Sequence, residues 1–263
     1  MALKQHKDDK LRFDQQVDNS RSYVLPFIEK TKPLGEGVRV LEIGCGEGGV
    51  LLPFIEKGCS CVGVDLNDIR IDLAKEFLKV AVEHGKATLI TQNVYDLEFL
   101  KKYGNHFDVI ILKDAIEHIP HQEKFIPYLK CFLKPGGQIF FGFPPWYMPF
   151  GGHQQVCNNK LASVLPYYHI LPKTIYKGIL KMFGEHDAVI RELLEIKDTQ
   201  ITIERFEKIV HKSELKVLNQ QHYLINPIYK YKFGLQPKKQ SGIVSAIPFL
   251  RNFVTTCVYY TVG

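Results

Sequence analysis

Between Val38 and Gly49 the chain passes from an apolar run, Val38-Arg39-Val40-Leu41-Glu42-Ile43, into the glycine-dense turn Gly44-Cys45-Gly46-Glu47-Gly48-Gly49. Glycines tolerate positive φ and let a ligand reach backbone that a Cβ would shield. A helix pattern follows over Val50 to Glu56, so the turn leads to free N–H groups at the positive end of a helix dipole. The glycine spacing has two readings. Gly44, Gly46 and Gly49 satisfy G-x-G-x-x-G, the dinucleotide fingerprint. Gly44, Gly46 and Gly48, with Glu42 two residues upstream, satisfy E-x-G-x-G-x-G. Asp65, 21 residues after Gly44, closes a second apolar strand where a carboxylate can accept from ribose hydroxyls. Both readings share that acid, so the turn alone does not decide between them.

A second stretch has the residues to handle a substrate. Phe143 to Gln155 carries Trp146, Tyr147 and Phe150, is stiffened by Pro144, Pro145 and Pro149, and ends on Gly151-Gly152-His153. Its aromatic rings suit a substrate wall, with Trp146 and Tyr147 as the expected contacts. His153 is the best single candidate for a general base, because imidazole titrates near neutrality. It serves equally well as a residue that only bonds its own loop. His118 and His169 are further candidates for the pocket. Six cysteines show no C-x-x-C pair, and no His, Asp or Glu cluster has metal-ligand spacing, so no metal is expected.

These residues need a frame. Val38–Ile43, Cys61–Asp65, Ala87–Gln92, Phe107–Leu112 and Gln138–Phe143 read as strands. The helices expected between them are Val50–Glu56, Asp68–His84 and one opening at Lys113–Ile119 and closing by Leu129–Leu133. Strands alternating with helices predict a doubly wound α/β sheet, and the fully apolar Phe107–Leu112 suits a strand buried on both faces. A short helix over Tyr23–Lys30 precedes the first strand. Thr202–His211 is amphipathic, and Leu215–Tyr223 and Phe253–Val262 read as strands. Residues 144–200 form an insertion with Lys173, Lys177 and Lys181 spaced in fours, and Gly234–Pro248 is a loop.

The combined pattern resembles the class I S-adenosylmethionine (SAM)-dependent methyltransferases over about residues 38 to 143. Glu42-x-Gly44-x-Gly46-x-Gly48 resembles the family's motif I. Asn93 stands one residue past the third strand, Glu117-His118 follow the fourth, and Leu133-Lys134-Pro135-Gly136-Gly137 precede the fifth. A nicotinamide dehydrogenase requires none of these last three features. The resemblance implies a single Rossmann-like domain over residues 1–263. Its seven-stranded, mostly parallel sheet has order 3-2-1-4-5-7-6 with the last strand antiparallel, and 144–200 forms a substrate lid. It implies SAM as cofactor and S-adenosylhomocysteine as product. Glu42, Gly44, Cys45, Gly46 and Gly48 would line the methionine end, with backbone near Leu112 and Lys113. Asp65 would take the ribose, and Leu66, Val94 and Asn93 the adenine. In such proteins the leading helix often covers the cofactor, which makes Arg21 and Tyr23 candidates for its carboxylate. The acceptor is expected to be a small molecule methylated at oxygen. Two other classes stay open: a nicotinamide-dependent oxidoreductase and a non-catalytic SAM-binding partner subunit. Pro144-Pro145-Trp146 resembles the N-P-P-[YFW] signature of amino-methyltransferases, but it follows the fifth strand rather than the fourth and does not imply DNA methylation.

Composition sets the outer limits. In 263 residues, 45% hydrophobic, there is ample material for one large core. No apolar run reaches the roughly 18 residues of a spanning helix, and Met1–Phe13 is too polar for a signal peptide. Reduced cysteines then suggest a cytoplasmic location. The formal charge is +6, and residues 170–240 hold 13 Lys plus Arg against 8 Asp plus Glu. No basic block of the nucleic-acid kind accompanies that excess. Composition leaves the oligomeric state open.

Overall fold

In the computed structural model, which describes residues 8–263, eight strands form one sheet. They are β1 (Arg39–Ile43), β2 (Ser60–Asp65), β3 (Ala87–Thr91), β4 (Phe107–Lys113), β5 (Leu133–Phe143), β6 (Val217–Ile225), β7 (Lys238–Lys239) and β8 (Cys257–Val262). The order is β3-β2-β1-β4-β5-β8-β6-β7. The first five strands are parallel, and β8 runs antiparallel between β5 and β6. This is the expected 3-2-1-4-5-7-6 arrangement with one addition, the two-residue edge strand β7, which falls inside the segment read as loop. Residues 1–7 of the polar N-terminal stretch lie outside the described residues.

Alternation along each strand builds two cores. Leu41, Ile43, Ile110, Leu112, Phe141 and Phe143 face the helices Leu97–Tyr103, Gln122–Tyr128 and Ile203–Lys212. Val40, Val109, Ile111 and Phe140 face the other way, onto Phe13, Val24, Ile28, Phe54 and Ile71. Val109, Ile110, Ile111 and Leu112 of β4 are apolar and buried, as a strand covered on both faces requires.

Several boundaries differ from expectation for local reasons. The first helix starts at Asp9, not Tyr23. Asp8 caps it by accepting from the Leu11 N–H at 2.9 Å, and a π-turn at Ser20–Val24 leads into Leu25–Glu29. The helix expected over Asp68–His84 breaks at Leu78 (φ −104°, ψ 20°), whose side chain is buried beneath the glycine turn. The segment after β4 holds only a 3-10 turn, Ile116–His118; the α-helix waits until Gln122, because Asp114 and His121 both take positive φ and Pro120 intervenes. Lys134–Gly137 bulges out of β5: Phe107 pairs with Leu133, yet Val109 pairs with Gln138. Near the C-terminus, Leu250–Val254 is helical and the last strand begins only at Cys257.

Residues 144–200 carry the helices Lys160–Val164, Lys173–Met182 and Asp187–Thr199 around a small core of their own, which includes Cys157, Tyr168, Tyr176, Leu180 and Leu193.

Candidate functional site

At the C-terminal end of β1 the glycine turn takes up the conformation its composition allows: φ is +73°, +51° and +81° at Gly44, Gly46 and Gly48. This resolves the spacing. Gly49 has no positive φ and faces away from the turn; a Cβ there would stand 2.6 Å from the Phe13 carbonyl oxygen, so Gly49 exists to let the N-terminal helix close over the turn. The E-x-G-x-G-x-G reading is the one the backbone follows.

Asp65 organises the turn from the end of β2. Its Oδ2 accepts from the Gly46 N–H at 2.9 Å and its Oδ1 from the Asn67 N–H at 3.0 Å. Each oxygen keeps a second lone pair, which suits a vicinal diol. Beneath the turn, Glu42 is almost wholly buried, and its Oε2 has no partner among the described residues. Burial, reinforced by Asp65, pushes its carboxyl well above the usual range. An orphaned buried oxygen at the base of a glycine cradle marks a place for a polar ligand. Cys45 is buried with its thiol likewise raised by burial, and so is inert.

On the far side, Leu66 lies 73% exposed, a large apolar side chain left in the open at the rim. Val94 is buried and its carbonyl accepts from the Tyr128 hydroxyl at 2.9 Å, while the Asn93 Oδ1 accepts from the Tyr95 N–H at 3.0 Å and retains a lone pair for an amino group. Leu112 and Lys113 close the strand ends. Lys113 Nζ is bonded to the Asp114 carboxylate, so only backbone of this pair can serve a ligand. A diol acceptor, an apolar rim with an amide edge, and a glycine cradle over an unpaired carboxylate fit the ribose, adenine and methionine ends of SAM respectively. Arg21 does not take part: it pairs at the surface with Glu56 at 2.8 Å. The N-terminal helix supplies Arg12 instead, bonded to Glu47 of the turn at 3.0 Å.

Beside this cradle opens a cleft of about 140 Å³. Three stretches distant in sequence build its walls: Asp114 and Glu117 after β4, Met148 to Val156 after β5, and Asn226 to Phe233 after β6. His153 faces it in left-handed backbone (φ +56°), with Nε2 3.7 Å from Glu117 Oε1 and its ring edge-on to His118 at 5.0 Å. Burial, with His118 adding to it, pushes the His153 pKa down to about 3. Glu117 is buried with neither oxygen hydrogen-bonded among the described residues, and burial followed by the Asp114 charge raises its pKa well above the usual range. Both shifts favour an uncharged cleft floor.

The expected substrate residues divide. His153 lines the cleft. His118 stands behind it and lines a separate depression with Glu195 and Arg205. Trp146 is a correction: it is buried, its ring perpendicular to His169 at 4.7 Å and under Lys197. Its loop turns inward because the Trp146 N–H donates to the Ile201 carbonyl at 2.8 Å. Tyr147 points outward and stacks on Phe253 at 5.2 Å; neither aromatic lines the cleft, where Met148 and Phe150 stand instead. His169 is structural, with Nε2 donating to the Trp146 carbonyl at 2.9 Å and Nδ1 facing the Gln154 amide at 3.2 Å.

Sequence reasoning missed Asp114, Asn226, Tyr229 and Lys232 as cleft residues. Asp114-x-x-Glu117-His118 was the available signal for the first; the others follow no pattern. Spacing also concealed that Glu117, His118 and His153 bring one potential ligand atom each within 4.8 Å of one another, near enough to share a cation.

The sheet order with its antiparallel β8, the positive-φ glycine turn and Asp65 together define a class I SAM-dependent methyltransferase fold. The chain belongs to the methyltransferase-domain family, whose model matches residues 13–149. It is 34% identical over 118 residues to a ubiquinone biosynthesis O-methyltransferase of Coxiella burnetii, covering 44% of this chain and 47% of that one. It is 33% identical over 135 residues to the protein of the same name from Chelativorans sp., covering 51% of each. The chain thus spans about half the length of the curated relatives it matches. Among solved structures, geranyl diphosphate C-methyltransferase from Streptomyces coelicolor aligns with a TM-score of 0.56 at 13% identity, covering 91% of this chain and 77% of that one. Magnesium protoporphyrin IX methyltransferase from Synechocystis aligns at 0.52 and 14%, covering 95% and 81%. At such identities the likeness is one of fold. Among the described residues no helix is long and apolar enough to cross a membrane.

Proposed function

We propose that this chain methylates an oxygen of a small-molecule acceptor, using SAM, and that residues 144–200 close over the acceptor as a lid. The observation that carries the reading is the cleft beside the glycine cradle, with His153 on its floor facing a Glu117 carboxyl that has no hydrogen bond among the described residues. SAM supplies a methyl group on a sulfonium, a ready electrophile. The protein must then hold the acceptor in line and take its proton. His153 would accept that proton at Nε2, which stands 3.7 Å from Glu117 Oε1. Met148, Phe150 and Ile228 supply apolar wall, and Asn226 and Lys232 polar contacts for orientation. The O-methyltransferase names of the curated relatives support oxygen over carbon.

The test is calorimetric titration with S-adenosylhomocysteine and with NADH, followed by turnover with SAM and a panel of phenols and hydroxylated benzoates. The reading expects micromolar binding of the homocysteine compound, none of NADH, and acceptor-dependent product. Binding without turnover across the panel would make the chain a SAM-binding partner subunit. The same assay with EDTA decides how the cleft floor works: metal-free proton transfer predicts unchanged turnover. A loss restored by Mg²⁺ or Zn²⁺ would make Glu117, His118 and His153 ligands instead.

A further inference from the structure

The segment between β7 and β8 inverts the usual pattern of burial. Its polar members point inward: Arg251 donates to Glu204 at 2.9 Å and to Glu207 at 2.5 Å, and Asn252 bonds Glu204 and the Ile203 N–H at 2.6 and 2.9 Å. Its apolar members point outward. Ile243 is 79% exposed, Phe249 69% and Leu250 51%, with Ile247, Phe253 and Val254 also exposed. A single exposed leucine is ordinary, but a contiguous run with its polar neighbours buried marks an interaction surface. Phe249 sits at φ +63°, ψ −51°, a conformation a bulky residue rarely adopts. Its N–H is held there by Glu204 at 2.9 Å, so the outward ring is fixed by the fold.

Charge says what such a surface meets. After Glu214 the chain contains no Asp or Glu, while Lys216, Lys230, Lys232, Lys238, Lys239 and Arg251 all fall there. Lys238 and Lys239 are exposed on the edge strand directly before the apolar run, and the neighbouring Gln240 ties them to it by donating to the Val254 carbonyl at 2.7 Å. A cationic edge bordering projecting apolar side chains matches an anionic lipid surface. A two-fold dimer through the same patch would set these lysines against their copies, which disfavours it.

We infer that the 241–254 segment docks the protein on anionic phospholipid membranes, with Ile243 and Phe249 entering the acyl boundary and Lys238 and Lys239 meeting the headgroups. This inference does not rest on methyl transfer. The surface adjoins the cleft loop all the same, since Phe253 stacks on Tyr147 and its carbonyl accepts from the Tyr167 hydroxyl at 3.1 Å.

Co-sedimentation of the full chain with phosphatidylcholine vesicles, with and without phosphatidylglycerol, tests it. Binding is expected to the anionic vesicles, weakening as salt rises. Ile243→Ser with Phe249→Ser should reduce it about tenfold or more, and Lys238→Gln with Lys239→Gln should weaken it and flatten its salt dependence. Both variants should melt cooperatively near the wild-type temperature, because the altered side chains are exposed; the lysine pair keeps the test valid if the apolar pair does not fold. Failure of the wild type to pellet with anionic vesicles would overturn the inference. So would a wild-type dimer in solution that the Ile243→Ser, Phe249→Ser protein no longer forms.

Discussion

The cofactor cradle and the proposed acceptor cleft share one edge of one sheet, yet they are built differently. The cradle comes almost wholly from a run of consecutive strand ends, Glu42 to Gly48, Asp65 and Leu66, Asn93 and Val94, each at or just past the C-terminal end of its strand. The cleft is assembled from three stretches separated by about 35 and 75 residues, and its floor is two side chains, Glu117 and His153, from different loops. The family match ends at residue 149, so it takes in the whole cradle but only the first part of the cleft lining. A ligand of constant shape imposes local spacing on a chain, whereas an acceptor imposes only a shape in space, which many sequences can meet.

If that division is real, the two regions can be damaged separately. The largest effect is expected from His153→Ala. Loss of the proton acceptor should lower kcat by about 10² to 10⁴ while leaving S-adenosylhomocysteine affinity within about twofold, measured by turnover and calorimetry on one preparation. An equal fall in cofactor affinity would mean that the two regions are one. Gly152→Ala attacks the same loop through packing. A Cβ there would stand 2.4 Å from the His169 Cβ, so about 3 kcal/mol of stability should be lost, seen as a midpoint lowered by about 6 to 12 °C. Asp65→Ala is the reciprocal test. It should weaken S-adenosylhomocysteine by roughly 1–3 kcal/mol, or about fivefold to 150-fold in Kd, by removing both the diol acceptor and the Gly46 tether.

The same division explains what could be read in the sequence. The parallel strands were legible as short apolar-rich runs alternating with helices and their order followed from the family resemblance, while the glycine turn was legible because positive φ at Gly44, Gly46 and Gly48 excludes most other residues. His153 was legible as a lone histidine after two glycines. Trp146 and Tyr147 were not, because an aromatic loop residue can turn toward substrate, core or surface without changing the local pattern; the Trp146 N–H bond to Ile201 decides it from 55 residues away. The late helix start at Gln122 was hidden because Asp114 and His121 adopt left-handed backbone without being glycine. Lys232 and Tyr229 carry no spacing signal at all. They reach the cleft only because β6 folds back beside β8.

The smallest expected effect bears on whether the cleft is as dry as His153 and Glu117 imply. Burial raises the Glu117 carboxyl above its ordinary 4.5, so the folded protein holds a proton there that the unfolded chain releases once the pH exceeds that value. Stability from this group is thus full below 4.5 and declines as the pH rises toward the folded pKa. Glutamine at this position has no proton to lose. Glu117→Gln should therefore match the wild type near pH 5 and become more stable than it by on the order of 1 kcal/mol near pH 8, read from urea midpoints across the range. His153 shifts in the opposite sense, its neutral form favoured by burial, and its contribution fades as the pH falls below 6.5; that loss appears in both proteins and drops out of their difference. A difference that stays flat from pH 5 to 8 would mean that water reaches Glu117 and keeps it ionised. The cleft floor would then be solvated in the way of an ordinary surface groove, and the contrast with the tightly bonded cradle would rest on geometry alone.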